Sequence, residues 1–449
     1  MTASGRLRAL SNHPARFVVS AFVVAIAVGT ALLSLPVATI GAGRLGVEDA
    51  LFMATSAVCV TGLAVVDPGT QLSGFGQAVL AVLAQLGGLG FMTMASLIAL
   101  LLARRLGLWL SLVATAERST LELGDVRRVL RGVAIVTVTV EAIVAVILTT
   151  RFVTRYDYPL GEAAWHGLFH SVMAFNNAGF ALYADSLNGF ATDVVVTGPI
   201  MVAIVVGGLG FPVLVDLAVR GRNRRRLSLH TKLTLWATAG MLVAGFVFLL
   251  AAEWSNPATL GSHPPAAKAW LGLFASVTPR TAGFHTITPA DMTEEGLLGT
   301  TFLMFIGAGS AGTSGGIKVG TFVLLGLVIL AELRGTRDVT AFGRRIPESI
   351  QRQALAVALL SVGVVAVATL SLLVLTGFDL RDVSFEAVSA FGTVGLSTGL
   401  TPLLPDGGKL LLVAMMLIGR VGPVTLFTAL VLRYRPSGVR EPQEAPLIG

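Results

Sequence analysis

The chain is 449 residues long, 54% hydrophobic and only 13% charged, with a mean hydropathy of +0.81. Soluble domains carry roughly a quarter charged residues, so this composition excludes an ordinary soluble chain and points to a protein of many membrane spans. A net charge of +7 could suit nucleic acid, but the basic residues sit in short clusters between apolar runs. The Arg222–Arg226 cluster has no aromatic residue among its charges, which argues against nucleic acid. The single cysteine, Cys59, excludes an intramolecular disulfide and a zinc site of several thiolates.

A membrane helix needs about 20 mostly apolar residues. Such helices are predicted at about 17–40, 75–103, 132–153, 194–219, 233–252, 297–331, 354–376 and 409–432. The first follows Arg6, Arg8 and Arg16 and is longer than a signal-peptide core, so it reads as a retained span. Taken in pairs, the helices divide the chain into units at 1–110, 111–228, 229–345 and 346–449. Within each pair lies a shorter, less apolar stretch. Most of the 32 Lys and Arg fall between units or at the termini, among them Arg104, Arg105, Arg127, Arg128, Arg344 and Arg345. That asymmetry puts both termini and the inter-unit loops in the cytoplasm, with the intra-unit stretches outside.

Each outer stretch holds a similar passage, and internal repeats decide a fold before local detail does. The passages run from Phe52 to Gly62-Leu63, from Phe169 to Gly179-Phe180, from Phe274 to Gly283-Phe284, and from Phe385 to Gly395-Leu396. In all four, an apolar segment of about ten residues leads to small or polar residues, a glycine and a large apolar residue. About ten residues make a helix of roughly 15 Å, too short to cross a bilayer but suited to one that dips in and returns. Its carbonyl end, the negative pole of the helix dipole, would point at mid-membrane and favour a cation. The residues that follow could turn their carbonyls inward in place of an ion's water. The ligands would come from Val60 and Thr61, Asn177 and Ala178, Thr281 and Ala282, and Thr393 and Val394, with Gly62, Gly179, Gly283 and Gly395 permitting the backbone turn. Thr393-Val394-Gly395 reads like the start of a potassium-channel filter. Close helix packing could account for one such glycine; four in the same context on the same side of each unit make coincidence a poor explanation.

The sixth predicted helix is interrupted by Gly307-Ala-Gly309-Ser-Ala-Gly312-Thr313-Ser314-Gly315-Gly316. Each glycine costs about 1 kcal/mol against alanine in a helix, so the helix should break here. The plain alternative is a kink with no ion contact; the functional reading is an intramembrane loop beneath the filter that blocks or clears the pore. Lys318 follows at once, and Arg420 is the other charge inside a predicted span, about a dozen residues from either end. It is expected to bond carbonyls of the broken loop and place a positive barrier near the pore. His166 and His170 have metal-ligand spacing, but no acidic neighbour supports a metal and packing or an outer-rim role weighs more. Glu141 is expected to be buried in the third span and to pair with a basic residue or sense protons. Asp216 is expected to be solvated near a cytoplasmic helix end. Arg222–Arg226 suits lipid headgroups.

Over about residues 16 to 432 the chain resembles the Trk/Ktr/HKT superfamily of potassium transporters, and within it the membrane subunits of Ktr systems. The residues that carry the likeness are Thr61-Gly62-Leu63 with Val65-Val66-Asp67, Phe175 to Phe180, Arg280 to Phe284, Gly392 to Leu396, and Gln85 to Phe91. Cys59 and Pro279 depart from the usual pattern. The resemblance implies an all-α membrane protein of four tandem membrane helix–pore loop–membrane helix repeats around one central pore, with 8 transmembrane and 4 pore helices. It also implies a multi-pass cell-membrane location, a homodimer, and a cytosolic ring of nucleotide-binding, KtrA-like regulatory subunits. Serine at the first filter glycine accompanies sodium transport in the superfamily, whereas four glycines accompany potassium. Potassium (K+) is therefore the implied cargo, sodium (Na+) a candidate activator, and no organic cofactor is expected. A sodium or mixed-cation secondary transporter is the alternative, although its inverted repeats do not match four parallel units. A membrane enzyme would need converging His, Asp or Glu, and none converge.

Overall fold

A computed structural model describes residues 14–41, 43–90, 123–221 and 227–422. The second half of the helix predicted at 75–103, the Arg222–Arg226 cluster, Arg104 and Arg105, the last part of 409–432 and both termini lie outside these residues. The described chain is helical, apart from a small hairpin of Thr340–Ala341 (β1) against Arg344–Arg345 (β2).

In chain order the helices are α1 (Pro14–Leu33), α2 (Val47–Val58), α3 (Gly74–Gly90), α4 (Leu123–Tyr156), α5 (Leu160–Asn176), α6 (Val194–Leu209) and α7 (Phe211–Arg220). They continue with α8 (Leu229–Glu253), α9 (Pro265–Val277), α10 (Glu294–Phe305), α11 (Val319–Leu333), α12 (Glu348–Thr376), α13 (Leu380–Gly392) and α14 (Asp406–Val421). Within α4, residues Arg131–Tyr156 are long and apolar enough to cross a membrane, as are α8 and α12; the bent pair of α6 and α7 raises the number to four among the described residues. Their outer faces stay apolar and exposed, as at Val138, Ile143 and Val146 on α4 and Val367, Leu370 and Val374 on α12. In water such belts would drive association; in lipid they are solvated.

The short helices α2, α5, α9 and α13 have the opposite character. Every residue from Phe52 to Val58 on α2 and from Phe385 to Gly392 on α13 is buried. Small side chains alternating with Phe and Met let other helices close around them. Polar ties join successive groups of helices. Trp165 on α5 donates to Gln77 on α3 at 2.7 Å, and Trp270 on α9 donates to Thr197 on α6 at 2.8 Å. Arg381 on α13 meets Glu294 on α10 at 2.9 Å, and Lys409 on α14 meets Asp49 on α2 at 2.7 Å, so the last group returns to the first. The Lys409–Asp49 pair is half-buried, and half-buried pairs contribute about 1 kcal/mol or less. Asp49→Asn should therefore lower the melting temperature by no more than about 2 °C and leave ion preference unchanged, as thermal unfolding and uptake assays would read.

The structure corrects several sequence-based expectations. The helix expected at 194–219 is two helices, α6 and α7, bent by 95° at Gly210. Gly210 has φ +90°, and a methyl built on it would lie 2.4 Å from the Ser310 carbonyl oxygen. Only glycine lets the backbone of the next group approach so closely, and Pro212 follows where a new helix starts. Asp216 is not solvated: it is 8% exposed, accepts the Ser228 N–H at 2.8 Å and pairs with Arg220 at 2.9 Å. Arg420 is not deep within a helix, because α14 ends at Val421 and Gly422 turns left-handed with φ +89°. Lys318 caps the start of α11 and is not inside a helix. At the N-terminus of α6, burial tends to raise the Asp193 carboxyl, but bonds from Arg151, the Val195 N–H and Tyr156 outweigh it and hold it below the usual range.

Candidate ion filter and gate

The four glycine passages, far apart in sequence, meet. A methyl built on Gly62 would lie 2.9 Å from Gly179 Cα, one on Gly179 2.8 Å from Gly283 Cα, one on Gly283 3.3 Å from Gly395 Cα, and one on Gly395 3.0 Å from Gly62 Cα. The glycines therefore close a ring in chain order. All four have positive φ, +92°, +67°, +76° and +91°.

The residue two places before each glycine is also left-handed: Val60 at φ 58°, Asn177 at 59°, Thr281 at 68° and Thr393 at 50°. Asparagine tolerates this region, but valine and threonine do not, and the left-handed conformation costs L residues about 1–2 kcal/mol each. Three of these turns close the short helices. Val60 N–H bonds to Ala57 O and Thr61 N–H to Ser56 O; Asn177 to Ala174 and Ala178 to Met173; Thr393 to Ala390 and Val394 to Ser389. This is the helix-ending motif in which glycine usually takes the left-handed place. In the third passage α9 ends at Val277 and the chain adds another turn, with Ala282 N–H bonded to Thr278 O. Thr61, Ala178, Ala282 and Val394, between the paired left-handed residues, keep ordinary φ. Such alternation turns successive carbonyls toward one side, which is what cation coordination by backbone requires. Strain of this kind collects at functional sites.

The first and fourth passages are braced alike, the second and third differently. Ser56 accepts the Gly62 N–H and Ser389 the Gly395 N–H, both at 3.1 Å. Thr278 donates to the Phe284 carbonyl. In the second passage the corresponding place holds Met173, and His170 Nε2 accepts the Leu182 N–H at 3.3 Å while its Nδ1 lies 2.8 Å from the His166 carbonyl. His166 and His170 therefore serve packing and bracing, and His166 Nδ1 lies 2.8 Å from the Tyr183 hydroxyl. Among the described residues no cluster of His, Cys, Asp and Glu could hold a metal. Sequence reasoning missed the two serines, although their identical spacing, six residues before Gly62 and Gly395, was visible.

On the side of the ring away from the ends of the short helices lies a cavity of about 490 Å³ lined by the four glycines, Asp67 and Asp185. On the other side sits the loop between α10 and α11. Its ends are tied, with Gly307 N–H on Ile317 O at 2.8 Å and Val319 N–H on Ala308 O at 3.0 Å. A methyl on Gly315 would lie 2.2 Å from Thr393 Oγ1, so the loop lies directly beneath the ring. Backbone bonds hold it to the break after α6: Gly309 N–H to Gly208 O at 2.8 Å, Thr313 N–H to Gly207 O at 3.2 Å, and Phe211 N–H to Ala311 O at 3.3 Å. Gly316 N–H bonds to Gly419 O at 3.3 Å.

Two cations also face this loop. Lys318 donates to the Ser314 carbonyl and to that of Gly315 at 3.3 Å. Arg420 donates to the Thr313 carbonyl and, at 2.9 Å, to that of Gly87. The Asn177 side-chain amide bonds to Thr313 Oγ1 at 3.1 Å, linking ring and loop. Among the described residues, Thr61 Oγ1, Thr393 Oγ1 and Ser314 Oγ are buried with no hydrogen-bond partner, polar groups available to water or an ion.

Comparison with known proteins shows the family and the fold. The chain matches the family model described as "TrkH: Cation transport protein" over residues 10–438. It is 40% identical over 429 residues to Ktr system potassium uptake protein B of Bacillus subtilis, covering 96% of this chain and 95% of that protein. It is 35% identical over 445 residues to the protein of the same name from Vibrio alginolyticus, covering 99% and 96%. A 34% identity over 442 residues relates it to Potassium/sodium uptake protein NtpJ of Enterococcus hirae, covering 97% of each. The crystal structure of the potassium transporter TrkH from Vibrio parahaemolyticus has the same fold, with a TM-score of 0.74 over 92% of this chain and 84% of that one at 20% identity. Fold and likeness together define a helical membrane transporter, not an enzyme. The chain belongs to the TrkH family of cation transport proteins.

Proposed function

We propose that this protein is the potassium-translocating membrane subunit of a Ktr-type uptake system. The ring of Gly62, Gly179, Gly283 and Gly395, with a left-handed residue two places before each, carries the reading. Backbone carbonyls of Val60, Thr61, Asn177, Ala178, Thr281, Ala282, Thr393 and Val394 replace the ion's hydration shell. The carbonyl ends of α2, α5 and α13 favour positive charge on the inner side of the ring, and Asp67 and Asp185 attract it on the outer side. Residues 307–316 gate the pore from beneath, held by Lys318 and Arg420.

The same reading divides the chain into four helix–pore loop–helix repeats around one pore, with eight spans and both termini in the cytoplasm. It places the protein in the cell membrane as a homodimer on a cytosolic ring of nucleotide-binding subunits. The names of the Bacillus and Vibrio relatives support this assignment.

The test is rubidium and sodium uptake in cells lacking their own potassium uptake systems, with a cognate ring protein supplied. Wild type should take up rubidium and discriminate against sodium. Gly62→Ser should lower that preference by about tenfold or more, since a side chain at the ring alters the carbonyl cage. An unchanged preference would overturn the filter assignment. A mixed potassium and sodium transporter is the second reading, favoured by the name of the Enterococcus relative. It requires sodium uptake by the unmodified protein in the same assay.

A further inference from the structure

Behind the second passage, away from the ring, three polar side chains from three helices meet within the membrane region. Glu141 lies near the middle of α4 and is 8% exposed. Its carboxylate accepts from Asn176 Nδ2 at 3.2 Å and from Gln85 Nε2, on α3, at 3.3 Å. Asn176 Nδ2 also approaches Gln85 Oε1 at 2.6 Å, which closes a triangle. The expectation that Glu141 pairs with a basic residue is therefore corrected: its partners are two amides. An acid at this depth is costly in lipid and is retained where it serves a function.

Asn176 is the last residue of α5 and Asn177, the left-handed residue, follows it directly. The first and fourth passages fasten the N–H of the ring glycine to Ser56 and Ser389, but Met173 in the second has no group to do so. The helix α3 is shaped around the triangle, since a methyl on Gly88 would lie 2.0 Å from Asn176 Oδ1. A side chain held by neighbours on two other helices fixes where its own helix ends, and so where the next carbonyl points.

We infer that Glu141 and Gln85 are positioning residues for the filter: through Asn176 they set the direction of the Asn177 carbonyl and thereby the preference for potassium over sodium. The inference rests on the filter reading given above. It assigns the triangle the task that Ser56 and Ser389 perform in the first and fourth passages.

The test compares Glu141→Gln, Gln85→Glu, the double exchange and Gly88→Ala in proteoliposomes, reading rubidium KM, the rubidium-to-sodium preference and the amount of inserted protein. Each single change spoils a donor–acceptor match, whereas the double exchange restores it with the carboxylate moved to position 85. The singles and Gly88→Ala should raise KM and lower the preference by roughly three- to tenfold, the scale of one lost hydrogen bond. The double exchange should return both to within about twofold of wild type. The inference is overturned if the inserted variants keep wild-type KM and preference, or if the double exchange fails to insert or to restore them. Gly62→Ser runs alongside. If it leaves preference unmoved, the filter reading itself fails; if it moves preference and the Glu141 set does not, only this inference does.

Discussion

Gly179→Ala will reduce rubidium uptake by about a hundredfold or more while the protein still inserts. The added methyl would lie 2.8 Å from Gly283 Cα and 2.9 Å from the Ala282 carbonyl oxygen. Both are backbone atoms and cannot swing away as a side-chain tip could. A residue with a Cβ at φ +67° also pays about 1–2 kcal/mol for the left-handed conformation. Together, strain and overpacking reach about 3 kcal/mol, and each 1.4 kcal/mol is a factor of ten. The neighbouring turn cannot relax freely, because Asn177 and Ala178 are fastened to Ala174 and Met173. Uptake per inserted molecule is the measurement. Wild-type uptake by Gly179→Ala would mean that the ring is not on the ion's path.

Arg420→Ala is expected to raise passive potassium flux through the purified protein in vesicles, by roughly tenfold to a hundredfold. Hydrogen bonds from charged donors contribute about 1.5–3 kcal/mol each, and those of Arg420 include bonds to the carbonyls of Thr313 and Gly87. The first holds the loop in its place under the ring, and the second, to α3, fixes the guanidinium that makes it. The change also removes a positive charge facing the loop, which on the proposed gate reading lowers the barrier to a cation. Arg420→Lys, which retains the charge but lacks the two-pronged geometry, should fall between the two. Flux into potassium-free vesicles, with rubidium-to-sodium preference read in parallel, separates gate from filter. Preference should stay at the wild-type value in both variants. A fall in flux would show that Arg420 holds the pore open.

The class of protein was legible in the sequence because lipid imposes a simple rule on composition. Long apolar runs such as those of α4, α8 and α12 have few alternatives to crossing a membrane, so their approximate bounds could be read directly. The glycine-rich stretch at 307–316 was legible for a similar local reason, since so many glycines cannot continue a helix, and the structure ends α10 at Phe305 and starts α11 at Val319. Gly62, Gly179, Gly283 and Gly395 stood out by their shared context.

The break at Gly210 was not foreseen, although Gly207, Gly208, Gly210 and Pro212 mark a weak point in the helix; what sets the bend is a contact, the approach of Ser310 and Ala311 from another part of the chain, which no local pattern announces. Glu141 is buried as expected, but its partners, like those of Asp216, were missed for the same reason. A carboxylate's partners depend on which elements lie beside it: Gln85, Asn176 and Ser228 reach these two only in the folded chain, whereas Arg220, one turn from Asp216 on the same helix, was a local signal that went unused. What the sequence by itself determined is what backbone and solvent decide locally: helical spans in lipid, short buried helices between them, and four glycines set to turn the chain. What only the tertiary structure decided is how those pieces meet. The glycines form a ring because α2, α5, α9 and α13 end at one place, and the loop lies beneath it because carbonyls of Gly207, Gly208 and Gly419 and the side chains of Lys318 and Arg420 hold it there. Apart from those of Lys318, which are local, these bonds join residues a hundred or more positions apart, where no local pattern can register them.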